Sequence, residues 1–112
     1  MKHKVAIITA ASRGMGAACA RELAENDYHV VLMSTTDSVL TLADELGGKG
    51  LVGNVTNSDD LQKLVDLAVE SYGQVDAVIN NTGHPPKGEL LEITDGDWHL
   101  AFDLLLMNVV RM

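Results

Sequence analysis

The chain is 112 residues long and carries a net charge of −8, from 16 acidic and 8 basic residues. Hydrophobic residues make up 46% and charged residues 21%, a balance that excludes a disordered tail, and the length fits one small domain or part of a larger one. The acidic surplus argues against nucleic acid or an anionic membrane as partner. No apolar run approaches the roughly 18 residues of a membrane span. The stretch after Lys2 and Lys4 stops at Ala11, before Ser12 and Arg13, which is too short for a secretory signal. With one cysteine, Cys19, no internal disulfide can form, and a cytoplasmic setting is the expectation.

Val5–Thr9 is an apolar run of strand length without polar alternation, the pattern of a strand buried on both faces. A turn over Ala10–Gly14 leads into a helix over Met15–Asn26, with Arg21, Glu22 and Glu25 opposite its apolar side. Tyr28–Met33 is the second buried run. Val39–Leu46 follows as a short helix, with Asp37 or Ser38 as N-cap and Gly47-Gly48 as its stop. Leu51-Val52 belongs to a third strand that ends near Asn54-Val55. Asn57 or Ser58 can cap a helix over Asp59–Tyr72, whose Leu61, Leu64, Val65, Ala68 and Val69 share one face, with Gly73 ending it. Val75–Asn80 is the fourth strand. A loop with Gly83, Pro85, Pro86 and Gly88 comes next. Thr94 and Asp97 have the spacing of an acidic capping box, so a last helix starts at Asp95 or Gly96 and runs to the end. Strands alternating with helices imply parallel strands joined by right-handed crossovers. The expected fold is α/β, a partial Rossmann-type doubly wound parallel sheet of four βα units over residues 1–112, with ligands at the C-terminal strand ends.

The first strand runs directly into Thr9-Ala-Ala-Ser-Arg-Gly-Met-Gly16 and a helix. A helix start offers free N–H groups and partial positive charge, and Gly14 and Gly16 would let a pyrophosphate approach the backbone. Ser12 and Arg13 add a hydroxyl and a charge. The alternative is an ordinary tight turn whose glycines serve packing. No Gly-Lys-Ser/Thr of a P-loop occurs, and no acidic residue of a phospho-receiver site lies between Val5 and Ala20.

This turn resembles the Thr-Gly-x-x-x-Gly-x-Gly signature of the short-chain dehydrogenase/reductase family, close to its 3-oxoacyl-carrier-protein-reductase-like members. Asn80-Asn81-Thr82-Gly83 is similar to the family's Asn-Asn-Ala-Gly, and Asn54-Val55-Thr56 to its Asp-Val or Asn-Val. The resemblance covers essentially the whole chain and the first half of a family member, so the chain is expected to be the cofactor half of a longer domain. By resemblance, Gly14 and Gly16 would face the pyrophosphate, Met15 would supply a backbone N–H near the nicotinamide end, and Thr9, Ala11, Ser12 and Arg13 would complete this cofactor-binding turn. Asn54 would bond the adenine amino group and Val55 N–H the adenine ring, while Asn81, Thr82 and Gly83, with Asn80, would line the floor. Ala10 stands where the family has its first glycine. If that position requires positive φ, the Cβ costs about 1–2 kcal/mol; if it needs only close approach, alanine is tolerable.

NAD sites place an Asp or Glu about 20 residues on, at the end of the second strand. Here Met33-Ser34-Thr35 carries no acid, and Asp37 lies further on and can instead cap a helix. Ser34 and Thr35 can bond a 2′-phosphate and Arg13 can supply positive charge, which favours NADP(H) over NAD(H). The resemblance also implies a catalytic Asn-Ser-Tyr-Lys set. Asn108 matches its asparagine, which holds a water in a proton relay; the alternative is a helix residue bonding its own backbone. Tyr28 and Tyr72 are not followed by a lysine four residues on and read as packing residues, so the chain alone is expected to be inactive. His3, His29, His84 and His99 lack metal-ligand spacing, and no metal is expected. His84 follows Gly83 and is a candidate substrate contact. Cys19 reads as a small core residue.

The implied activity is hydride transfer between nicotinamide and a carbonyl or secondary alcohol, in a protein that forms homo-oligomers through the helix after strand four. The alternatives are a non-catalytic dinucleotide-binding or sensing module on the same fold, and a scaffold with no ligand.

Overall fold

The structure is a computed structural model and describes residues 3–83 and 88–112. Four parallel strands form one sheet in the order β3-β2-β1-β4, with β1 Val5–Thr9, β2 His29–Ser34, β3 Lys49–Val52 and β4 Ala77–Ile79. Their connections are α1 Gly14–Glu25, α2 Ser38–Glu45 and α3 Ser58–Tyr72. Because side chains alternate across a strand, β1 and β2 feed two separate cores. Ala6, Ile8, Val30 and Leu32 pack under α1 and α2 with Ala20, Val39, Leu42 and Ala43. Val5, Ile7, Val31 and Met33 pack under α3 with Leu61, Leu64 and Ala68. This is the doubly wound arrangement, and all five residues of β1 are buried. Each fully buried Ile, Leu or Val contributes about 1.5–3 kcal/mol, so β1 and β2 anchor both layers.

The expected elements are all present, with shifted bounds. β4 is shorter than Val75–Asn80, and Asp76, just before it, meets β1 through its backbone N–H, which donates to Val5 O at 2.8 Å, and through its side chain. Its Oδ2 accepts from Val5 N–H at 2.7 Å and from Gln74 Nε2 at 2.7 Å. Of the two candidate caps for α3, Asn57 serves: its Oδ1 accepts from Asp59 and Asp60 N–H. Asp37 occupies the N-cap position of α2 without a side-chain cap bond. Tyr72 packs as expected, stacking on the His29 ring at 4.3 Å, and partial burial raises its pKa above the usual value. Cys19 departs from its expected core place, since it is only partly buried.

The last helix also departs from the expectation of one regular run. Thr94 and Asp97 make the capping box that opens α4 (Asp95–Phe102). A π-helical turn over Asp103–Met107 then leads into α5 (Asn108–Arg111). Arg111 pairs with Asp103 at 2.6 Å and reaches Thr56 O at 3.5 Å, which ties this end to the turn before α3. Leu104 and Met112 pack on the α3-side core, whereas Leu100, Phe102, Leu106 and Val110 are exposed. No helix among the described residues is long and apolar enough to cross a membrane.

Candidate functional site

A cleft of about 700 Å³ opens at the C-terminal ends of the strands, where the strand order reverses between β1 and β4. Its wall is the turn from β1 into α1. Ala10 has φ 49, so the position does require the left-handed conformation, and its Cβ carries the cost of about 1–2 kcal/mol. Three contacts hold it there: Ala11 N–H donates to Met33 O at 3.1 Å, Asn81 Nδ2 donates to Ala10 O at 3.3 Å, and Gly16 lies against the Ala10 carbonyl. A Cβ at Gly16 would meet that carbonyl oxygen and come within 2.8 Å of Asn81 Nδ2. Gly14, at φ 61, completes the turn.

The start of α1 has no side-chain cap, and its first turn carries no acidic residue. The first backbone bond there runs from Ala17 N–H to Arg13 O at 3.3 Å. Among the described residues the N–H groups of Gly14, Met15 and Gly16 therefore have no acceptor. The second wall is the end of β2. Ser34 Oγ donates to Ser12 Oγ at 2.9 Å and lies 3.5 Å from Thr36 Oγ1, which is 2.9 Å from Ser38 Oγ. Arg13 is exposed and lines the same cleft, where among the described residues it is the one charged side chain, in a chain with a net charge of −8. Asp37 is exposed and does not line the cleft.

Of the residues expected in the site, Ser12, Arg13, Gly14, Met15, Ser34, Thr35, Asn54, Val55, Asn81, Thr82 and Gly83 come together around the cleft. Thr9, Ala11, Gly16 and Asn108 do not line it. Thr9 is buried, and its hydroxyl donates to Asn81 O at 2.7 Å and accepts from Asn81 N–H at 2.9 Å, locking β4 to β1. Ala11 and Gly16 are interior parts of the turn itself. Asn108 is buried beneath Leu104, donating from Nδ2 to Leu104 O at 2.9 Å; among the described residues its Oδ1 is buried without a partner. Asn80 is exposed and off the cleft. His84 lies outside the described residues, among which no cluster of metal-ligating side chains occurs.

Asn54 lines the β3 end of the cleft. Its Oδ1 already accepts from Thr56 N–H at 2.9 Å and Thr56 Oγ1 at 2.8 Å. Sequence reasoning did not place Thr36, Ser38, Met33, Gly53 or Leu104 in the site. The run Ser34-Thr35-Thr36 with Ser38 is the signal that would have found the first two; Leu104 carries none.

The sequence pattern that defines short chain dehydrogenases matches residues 4–112. The chain belongs to the short-chain dehydrogenase family. It is 36% identical over 109 residues to dehydrogenase/reductase SDR family member 4 of Caenorhabditis elegans, covering 90% of this chain and 42% of that protein. It is 32% identical over 115 residues to the 3-oxoacyl-(acyl-carrier-protein) reductase FabG of Vibrio cholerae, covering 100% of this chain and 47% of that protein. Among solved structures it matches L-sorbose reductase from Gluconobacter frateurii, complexed with NADPH and L-sorbose, with a TM-score of 0.85 and 28% identity over 99% of this chain and 45% of that one. The chain thus spans less than half the length of these relatives.

Proposed function

We propose that this short-chain dehydrogenase chain binds a nicotinamide dinucleotide across its cleft, NADP(H) in preference to NAD(H). In the whole protein it would be the cofactor half of an oxidoreductase acting on a carbonyl or secondary alcohol. The observation that carries this reading is the uncapped start of α1, whose N–H groups have no acceptor and lie at a cleft with no acidic lining residue among the described residues. The residues fit the group. Gly14 and Met15 N–H would hold the pyrophosphate. Arg13, with the hydroxyls of Ser12, Ser34 and Thr35, would hold a 2′-phosphate, which a carboxylate at the end of β2 would repel. Asn54 and Val55 would flank the base, and Asn81, Thr82 and Gly83 the floor. When bound, the nicotinamide supplies the hydride chemistry, and the chain supplies binding and orientation.

Thr9, Ala11 and Gly16 would contribute by shaping the turn. Asn108 would hold a relay water through its buried Oδ1. The exposed Leu100, Phe102, Leu106 and Val110 support self-association of the whole protein through this helix. NADPH-bound L-sorbose reductase, with 28% identity to this chain, supports the choice of cofactor.

Calorimetric titration of the chain with NADPH and NADH tests the reading. Saturable binding is expected, with NADPH tighter by about tenfold, the value of one lost charge-assisted contact. No saturable binding by a folded sample would overturn the reading in favour of a scaffold, and tighter NADH binding would overturn the cofactor preference.

A further inference from the structure

Four methionines lie among the described residues, and they differ in what covers them. Met33 is fully buried, and Met107 and Met112 are partly buried, whereas Met15 is 78% exposed. Met15 stands in the first turn of α1 between Gly14 and Gly16, neighbours with no side chain to lay over it. It lines the cleft, as Met33 and Leu104 do, and the N–H groups of its turn have no acceptor among the described residues. A leucine or isoleucine here would present the same apolar surface. The thioether adds a chemistry that they lack, a sulfur lone pair that an oxidant can reach from solvent. Of the two methionines at the cleft, only Met15 offers it, since Met33 is sealed in the core under α3.

We propose that Met15 is a reversible oxidation site whose sulfoxide form binds the dinucleotide less tightly, so that peroxide and cofactor oppose each other at this end of the cleft. The effect on binding rests on the dinucleotide reading above; the modification itself does not. The oxidant is hydrogen peroxide. The Met15 sulfur attacks one peroxide oxygen and the O–O bond breaks. Sulfur is oxidised by two electrons and keeps that oxygen as the sulfoxide. The proton on that oxygen passes to the departing hydroxide, which leaves as water. The product is polar where the thioether was apolar. Its oxygen is a hydrogen-bond acceptor in the first turn of α1, so it competes with phosphate oxygens for the unpaired N–H groups there. A dinucleotide laid over it must also strip that oxygen of water. In the other direction, a bound dinucleotide shields the sulfur from peroxide. Methionine sulfoxide reductases return the thioether, which makes the change a switch.

The test treats the chain with hydrogen peroxide, maps added oxygen by peptide mass spectrometry, and titrates NADPH by calorimetry once the peroxide is removed, with the melting temperature recorded alongside. Met15 is expected to gain one oxygen several-fold faster than Met33, Met107 or Met112, and saturating NADP+ is expected to slow that gain. Complete oxidation of Met15 is expected to weaken NADPH binding about tenfold, and treatment with the two sulfoxide reductases, one for each epimer, to restore it. In Met15→Leu the NADPH affinity, whatever its starting value, is expected to be the same before and after peroxide. Oxidation of Met15 no faster than that of Met107 and Met112 would overturn the proposal, as would a folded sulfoxide form that binds NADPH as tightly as the thioether. The same loss in peroxide-treated Met15→Leu would overturn the assignment to Met15. Saturable binding by neither form would overturn the dinucleotide reading and the effect on cofactor with it, while the mass map still decides the modification site.

Discussion

Two helices of this chain start at the same edge of the sheet on opposite plans. α3 satisfies itself: Asn57 Oδ1 accepts from Asp59 N–H at 2.9 Å and from Asp60 N–H at 3.3 Å, and those two carboxylates sit where the helix is partially positive. α1 has no cap bond and no acid in its first turn, and it follows a residue held in the left-handed conformation at a cost. A missing cap forgoes about 1 kcal/mol. The chain thus contains a sequence solution for a stable helix start and does not use it at α1. On the reading proposed above, the difference leaves the α1 start for a ligand.

Four substitutions probe this contrast. The largest effect is expected from Gly16→Val, whose side chain would collide with Ala10 O and Asn81 Nδ2. Overpacking backbone here should lower stability in urea by about 3 kcal/mol and abolish measurable NADPH binding. A wild-type melt and unchanged titration would show that the turn is not the seat. Next is Thr35→Asp, an exposed position at the end of β2. A new carboxylate in the cleft that Arg13 also lines should shift the NADPH-to-NADH affinity ratio by about tenfold toward NADH, with little change in melting temperature. Asn57→Ala should cost about 1 kcal/mol in denaturant unfolding and leave NADPH affinity unchanged. An equal loss of affinity would erase the distinction between the two helix starts. The smallest effect is expected from Ala10→Gly, which relieves the Cβ strain at φ 49 but frees the unfolded chain. A net gain of about 0.5 kcal/mol in thermal stability is the outcome that fits.

The parts legible from residues alone are those with a local physical cause. β1 and β2 could be read because a strand buried on both faces must be apolar throughout, as Val5–Ile8 and Val30–Met33 are. The starts of α3 and α4 were legible to within a residue because Asn57 or Ser58, and Thr94 with Asp97, have side chains able to cap a helix there. The parts not legible depend on partners far along the chain. Gly16 looks like a phosphate glycine, but its close neighbours, Ala10 and Asn81, come from outside its helix. Ala11 N–H is spent on Met33 O, and the Thr9 hydroxyl on Asn81, through sheet pairings that no local pattern announces. The π-helical turn over Asp103–Met107 carries no signal in its run of leucines, and Leu104 within it lines the cleft.

The most direct test follows amide resonances of the isotopically labelled chain as NADPH is added. The N–H signals of Gly14, Met15 and Gly16 should move saturably, with those of Asp59 and Asp60 staying in place. Saturable binding that shifts the α3 start and leaves the α1 start unmoved would contradict the account.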